Sequence, residues 1–362
     1  MRDLENNSQI VRNFAPSWFA MVMGTGVFAI TSMFYSEYIS FLKYVAFFLY
    51  YLNIILFFFL LIPWVLRWVL FRERAMRDLK DPVLSNFYAT IAIAMLVLSS
   101  DFMAIGKAPL FAEIFWFVGV PLTVFFAILT PYIVFTGEDV KIDHINPAWF
   151  IPPVGLIVIP MSGSLLVGNF GGITKEAIIF FNYFGWGSGF FLYLSLLAVC
   201  MYRFILHRPL PSILAPTIWI NLGPIGAGSL ALVNIVSASS FIHIKEPFFV
   251  FALIFWGFGI WWFIMAVVMT VHYLKKIDLP YALSWWAFTF PLGAYVASSH
   301  VLSGIFNMSL LDHIGFALYW LLVLMWVVTF FQTAKHIRCG TIFRDPTPSG
   351  PVSAEPLNNG GE

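Results

Sequence analysis

The chain has 362 residues, 60% of them hydrophobic and 10% charged, where a soluble domain carries about 45–50% and about 25%; a water-soluble globule is excluded. Nineteen Lys and Arg against 18 Asp and Glu leave a net charge of +1, with no basic stripe to hold a phosphate backbone, so nucleic-acid binding is excluded as well. Cys200 and Cys339 belong to no metal-ligand cluster, so no zinc site, disulfide framework or cofactor is expected.

In chain order, ten apolar segments reach the roughly 17–25 residues that cross a bilayer: residues 17–35, 43–70, 83–105, 111–136, 147–168, 177–206, 211–237, 247–274, 282–304 and 311–337. Stretches such as 47–62 are apolar on every side apart from Asn53, which fits helices and not the alternating strands of a barrel. The prediction is an all-α polytopic membrane protein with ten transmembrane helices over residues 1–338 and a disordered cytoplasmic tail over 339–362, which holds four Pro and four Gly. No small-residue cleavage site follows the first segment, so it reads as a retained span. With the N-terminus inside, 15 of the 19 cations fall on cytoplasmic ends and loops, which puts both termini in the cytoplasm of a protein of the cell membrane.

Each odd-numbered segment opens on a proline: Pro16, Pro82, Pro147, Pro211 and Pro280 are separated by 66, 65, 64 and 69 residues. Proline suits the first helical position, whose N–H has no partner within the helix, and the near-constant period argues for five repeated helical hairpins. The two helices of a hairpin differ. Odd segments hold 37 Gly, Pro, Ser and Thr among 114 residues, even segments 19 among 139. Small residues let helices approach closely, and interior prolines free carbonyls that lipid cannot satisfy. The odd helices are therefore expected to form an inner ring around an axial path, wrapped by the even ones. Pro152, Pro153 and Pro160, Pro216 and Pro224, and Pro291, with Gly24 and Gly26, Gly155, Gly223, Gly226 and Gly293, are the expected kink or lining positions, and Thr25 stands between the first two glycines.

All five inner helices start on the same side, so their N-termini, each carrying roughly half a positive charge, crowd one mouth. The inner segments hold almost no ionisable side chain; Asp101 and His300 stand near their outer ends. A cation pathway normally shows acidic groups inside. A neutral path with electropositive ends suits small anions.

Several of these motifs together resemble the tellurite-resistance/dicarboxylate transporter family. They are Asn13-Phe14-Ala15-Pro16-Ser17-Trp18-Phe19 through Met23-Gly24-Thr25-Gly26, the Pro82 to Phe87 run, Asn146 to Pro152 followed by Gly155, Gly223-Pro224-Ile225-Gly226, and Trp285 through Pro291. That family includes slow-type plant anion channels, bacterial tellurite-resistance proteins, fungal malate permeases and fungal sulfite pumps. The resemblance covers about residues 13 to 337. It implies quasi-fivefold symmetry, a central pore in each protomer, a homotrimer, and a phenylalanine on the ninth helix that plugs the pore. The matching position is Phe290, with Phe288 two residues away as the alternative and Phe87 as a second aromatic at the pore.

Other motifs have plainer readings. Gly24 to Ala29 fits GxGxxA but lies inside a span with no strand before it, so it reads as helix packing or pore lining and not as a nucleotide site. Gly185 and Gly189 are spaced for a helix or subunit contact. Asp101, Lys107 and Glu113 are expected in outer-surface pairs, and Arg67 to reach the headgroups. No enzyme motif is present. His300 is the candidate for proton linkage. Two functions compete: gated permeation of small inorganic anions, and secondary carriage of malate or another C4-dicarboxylate, or export of sulfite, with or without protons.

Overall fold

The computed structural model describes residues 8–138, 140–277 and 279–343. The expected disordered tail lies outside them from residue 344 on. Before that point Thr341–Phe343 forms a turn, the Phe343 ring stacks on Trp18 at 5.9 Å, and its carbonyl accepts from Asn13 Nδ2 at 2.8 Å. The first residues of the supposed tail are thus docked on the ring, because an aromatic side chain there finds an apolar partner.

Among the described residues nine helices are long and apolar enough to cross a membrane. They are α1 (Pro16–Glu37), α2 (Leu42–Leu70), α3 (Leu84–Gly106), α4 (Pro109–Thr136), α5 (Pro147–Asn169), α6 (Gly172–Leu206), α7 (Ser212–Ala238), α8 (Glu246–Lys276) and, last in the chain, α10 (Ser309–Arg338). The segment expected at 282–304 is divided. A 3₁₀ turn, Leu283–Phe288, ends at Thr289, and α9 (Phe290–Phe306) continues for 17 residues. No strand occurs among the described residues.

The odd helices share an opening: α1, α3, α5 and α7 begin with the 3₁₀ turns Pro16–Phe19, Leu84–Tyr88, Pro147–Phe150 and Ser212–Asn221, as α9 is preceded by its own. Proline supports this start, since Pro16 and Pro147 stand at the first helical position. Asn146 adds a cap by accepting from the Ala148 N–H at 2.9 Å.

Packing then sorts the helices into two layers. α1 packs on α3, α3 on α5, α5 on α7, α7 on α9, and α9 returns to α1, so five segments close a ring. Each even helix packs outside it on the odd helix that precedes it. In their most apolar stretches α1, α3, α5 and α7 are 72 to 94% buried, the even helices 28 to 33%. The bias in small residues thus corresponds to a real difference in position.

The inner backbones nearly touch. A Cβ on Gly226 of α7 would stand 2.6 Å from backbone atoms of Ala294 and Tyr295 in α9, and one on Gly189 of α6 2.7 Å from the Pro153 carbonyl of α5. Two charged groups depart from expectation. Arg67 does not reach outward: it is 3% exposed, paired with Asp78 of the short helix Arg72–Lys80, and donates from Nε to the Arg12 carbonyl at 3.1 Å. Asp101 makes no surface pair; it is fully buried and accepts from Asn53 Nδ2 at 3.0 Å, while Glu113 accepts from Asn169. A desolvated charge or carboxyl takes whatever partner the packing brings near, here from a neighbouring helix.

Gly226→Ala is expected to destabilise the detergent-solubilised protein by about 1–3 kcal/mol through overpacking. Gly257→Ala, where nothing lies within 4 Å of the added methyl, leaves the unfolding temperature unchanged; thermal unfolding of the two variants side by side measures the difference.

Candidate functional site

Inside the ring, at the end where the odd helices begin, lies a cavity of about 40 Å³. Every inner segment contributes: Ser17, Ala20 and Met23 from α1, Phe87 and Thr90 from α3, Ile151 and Val154 from α5, Ile220 and Gly223 from α7. Leu283, Ser284, Trp286, Ala287, Phe290 and Pro291 come from α9 and its preceding turn. The three-residue steps 17/20/23, 151/154, 220/223 and 287/290 show one face of each segment turned to the same space.

The cavity sits where 3₁₀ geometry gives way to α-helix, since the α-helical parts begin at Ala20, Ala89, Ile151, Leu222 and Phe290. Five helix dipoles therefore direct their positive ends toward one small space. No charged side chain lines it. Two of its hydroxyls are spent on backbone: Thr90 Oγ1 donates to the carbonyls of Pro16 (2.9 Å) and Phe87 (2.7 Å), and Ser284 Oγ to that of Ile213 (2.5 Å). The wall is largely hydrocarbon, and the volume admits only a few waters.

Of the residues singled out in the sequence, Phe87, Phe290, Pro291 and Gly223 meet at this cavity. Phe290 is 3% exposed and opens α9 directly after the break at Thr289, with Pro291 behind it. Phe288 lies elsewhere. It is held edge-on between Trp219 (5.5 Å) and Trp285 (5.9 Å), because two residues along a tight 3₁₀ turn and across the break place the two rings on different sides.

The remaining positions face neighbouring helices. An added Cβ at Gly24 would run into Thr289 and Trp286, at Gly26 into Val97, Asn53 and Asp101, at Gly155 into Thr123 and Ile93, and at Gly293 into Val27. Thr25 accepts from Trp326 Nε1 at 3.1 Å. Pro16, Pro82, Pro147, Pro160, Pro216, Pro224 and Gly226 are likewise not among the cavity's residues, and Pro152 with Pro153 lines a separate groove of about 240 Å³ between α4 and α6. Gly24 still bears on the cavity indirectly, since its missing side chain makes room for the Thr289 break that aims Phe290. Met23, Ile151, Val154, Ile220 and Ala287 were not singled out; their three-residue spacing on the odd segments was the available signal.

His300 is away from the cavity, at the other end of α9. Its Nδ1 lies 2.9 Å from Asp312 Oδ1 of α10, its ring stacks on Phe34 at 4.9 Å, and Tyr35 meets it edge-on at 5.4 Å. Tyr38 donates to the other oxygen of Asp312, and this bond raises the Tyr38 phenol above its ordinary value.

Buried inner helices wrapped by apolar outer ones make this an integral, multi-pass membrane protein. The chain belongs to the voltage-dependent anion channel family, whose model matches residues 13–334. It is 56% identical to an uncharacterised transporter of Methanocaldococcus jannaschii over 94% of this chain and 98% of the relative. It is 28% identical to a sulfite efflux pump of Arthroderma otae over 92% and 93% of the two chains. A malic acid transport protein of Schizosaccharomyces pombe is 23% identical over 91% and 79%.

Proposed function

We propose that the protein passes small anions across the cell membrane through a gated pore on the axis of the inner ring, with α9 completing ten transmembrane helices in five hairpins of quasi-fivefold symmetry. Both termini face the cytoplasm and the assembly is a homotrimer with one pore per protomer. The observation that carries this reading is a single uncharged cavity lined by all five inner segments at the convergence of their N-termini. Helix ends there favour negative charge without fixing it as a buried Lys or Arg in the wall would, so an anion can enter and leave.

Phe290 is the gate and Phe87 a second aromatic at the same constriction. With about 40 Å³ free, the space holds a few waters but no hydrated anion, so this is the closed state. A phenyl ring at an apolar constriction blocks by dewetting, and moving it restores a wetted path. The backbone break at Thr289, immediately before the ring, gives it a place to swing.

Secondary carriage of malate or another C4-dicarboxylate, or sulfite efflux, is the second reading, favoured by the His300–Asp312 pair and by the likeness to a fungal sulfite efflux pump and a fungal malic acid transport protein. In that reading His300 carries the linked proton.

In proteoliposomes with an imposed potential, Phe290→Ala is expected to raise chloride or nitrate flux at least tenfold over the wild type; unchanged flux from a well-folded variant removes Phe290 from the gate. Strict dependence of malate or sulfite uptake on a pH gradient selects the carrier reading instead, and His300→Gln is then expected to abolish the pH dependence while leaving protein yield and unfolding temperature near wild type.

A further inference from the structure

Two outer helices end alike. Arg67 is the fourth residue from the end of α2 and Arg203 the fourth from the end of α6; both are buried, at 3% and 1% exposure, and the carbonyl of each accepts the N–H that closes its helix. Their surroundings differ in sign. Arg67 is neutralised by Asp78, which the helix Arg72–Lys80 carries back to it. After α6 the chain passes to α7 through residues 207–211, which contain no acid. Among the described residues, the carboxylate that meets this connection, Asp143, lies 2.6 Å from His207 Nε2.

Arg203 Nε and Nη1 accordingly find no acceptor. Among the described residues, the Cys200 thiol, one turn earlier, and Tyr273 of α8 lie within electrostatic range of it. A guanidinium keeps its charge in proteins, and the C-terminal dipole of α6 offsets at most about half of it. A buried charge is also poorly screened by salt. The connection to the cavity is short: Tyr273 donates to the Leu210 carbonyl at 2.7 Å, Leu210 leads into the first turn of α7, and the Ile213 carbonyl of that turn accepts from Ser284 of the cavity wall.

We propose that Arg203 is a selectivity-determining residue: a permanent cation behind the wall of the inner mouth that raises the potential of the conduit for anions and lowers cation entry, without touching the ion. The inference rests on the pore reading above. It differs from that reading in placing part of the positive potential on one side chain, where all of it otherwise comes from the main chain.

The test is the chloride-over-potassium permeability ratio, taken from reversal potentials of the reconstituted full-length protein in a KCl gradient. Arg203→Gln is expected to lower the ratio at least tenfold, because losing the charge weakens the attraction of the anion and the repulsion of the cation together, while Arg203→Lys keeps it. Cys200→Asp, which sets a carboxylate one turn from an intact Arg203, is expected to lower the ratio as Arg203→Gln does; Cys200→Asn, of the same size and neutral, leaves it at the wild-type value. Should Arg203→Gln fail to fold, the Cys200 pair decides. Equal ratios in wild type, Cys200→Asp and Cys200→Asn overturn the role of Arg203 and leave the pore reading standing. Absence of anion current or flux in both the wild type and Phe290→Ala overturns the pore reading and this inference together.

Discussion

Five helices can close around an axis only if their backbones come almost into contact, and in this chain glycine makes that contact. At Gly226 the α7 backbone lies against Ala294 and Tyr295 of α9; at Gly24 and Gly293 the α1 and α9 surfaces interlock through Thr289 and Val27. Hydrocarbon offers no water to satisfy a displaced amide or carbonyl, so irregular backbone survives only in the interior of the ring. That is where the 3₁₀ openings and the Thr289 break occur. The bulky, lipid-exposed side chains of the even helices, such as Phe59 and Phe135, follow from the same division.

Many polar groups follow a second rule: they face the outer helices, although Ser17, Thr90 and Ser284 line the cavity. Thr25 is tied to Trp326 of α10, Asp101 to Asn53 of α2, Ser32 to Tyr319 of α10 and Ser299 to Trp256 of α8, each joining an inner helix to an outer one. Such bonds fix the rotation of the inner helices, since a buried donor left unpaired is costly. The apolar faces are then the ones that remain for the axis. A small cavity lined largely by hydrocarbon and by no charged side chain is the outcome.

Much of this architecture was legible in the order of residues. Hydrophobic length marked nine of the ten expected spans as helices long enough to cross, and the surplus of Gly, Pro, Ser and Thr in odd segments marked the helices that the structure buries. Phe290, before Pro291, was legible through the family resemblance. The roles of individual small residues were not: Gly26, Gly155 and Thr25 look like lining positions and serve helix contacts, because composition carries no record of which way a helix is turned. Arg67 and Arg203 look equivalent, and only the return of Asp78 to one of them separates their electrostatics.

By itself, then, the sequence determined that the chain crosses the membrane repeatedly and which helices lie inside, since burial in lipid or protein depends on side-chain size and polarity averaged over a whole segment. The tertiary structure decided which residues meet at the cavity, that Phe290 and not Phe288 lines it, and which of the two buried arginines has a carboxylate partner. Those outcomes depend on helix rotation and on contacts between residues far apart in the chain, as between Thr25 and Trp326, where one helix fixes the face that another must present.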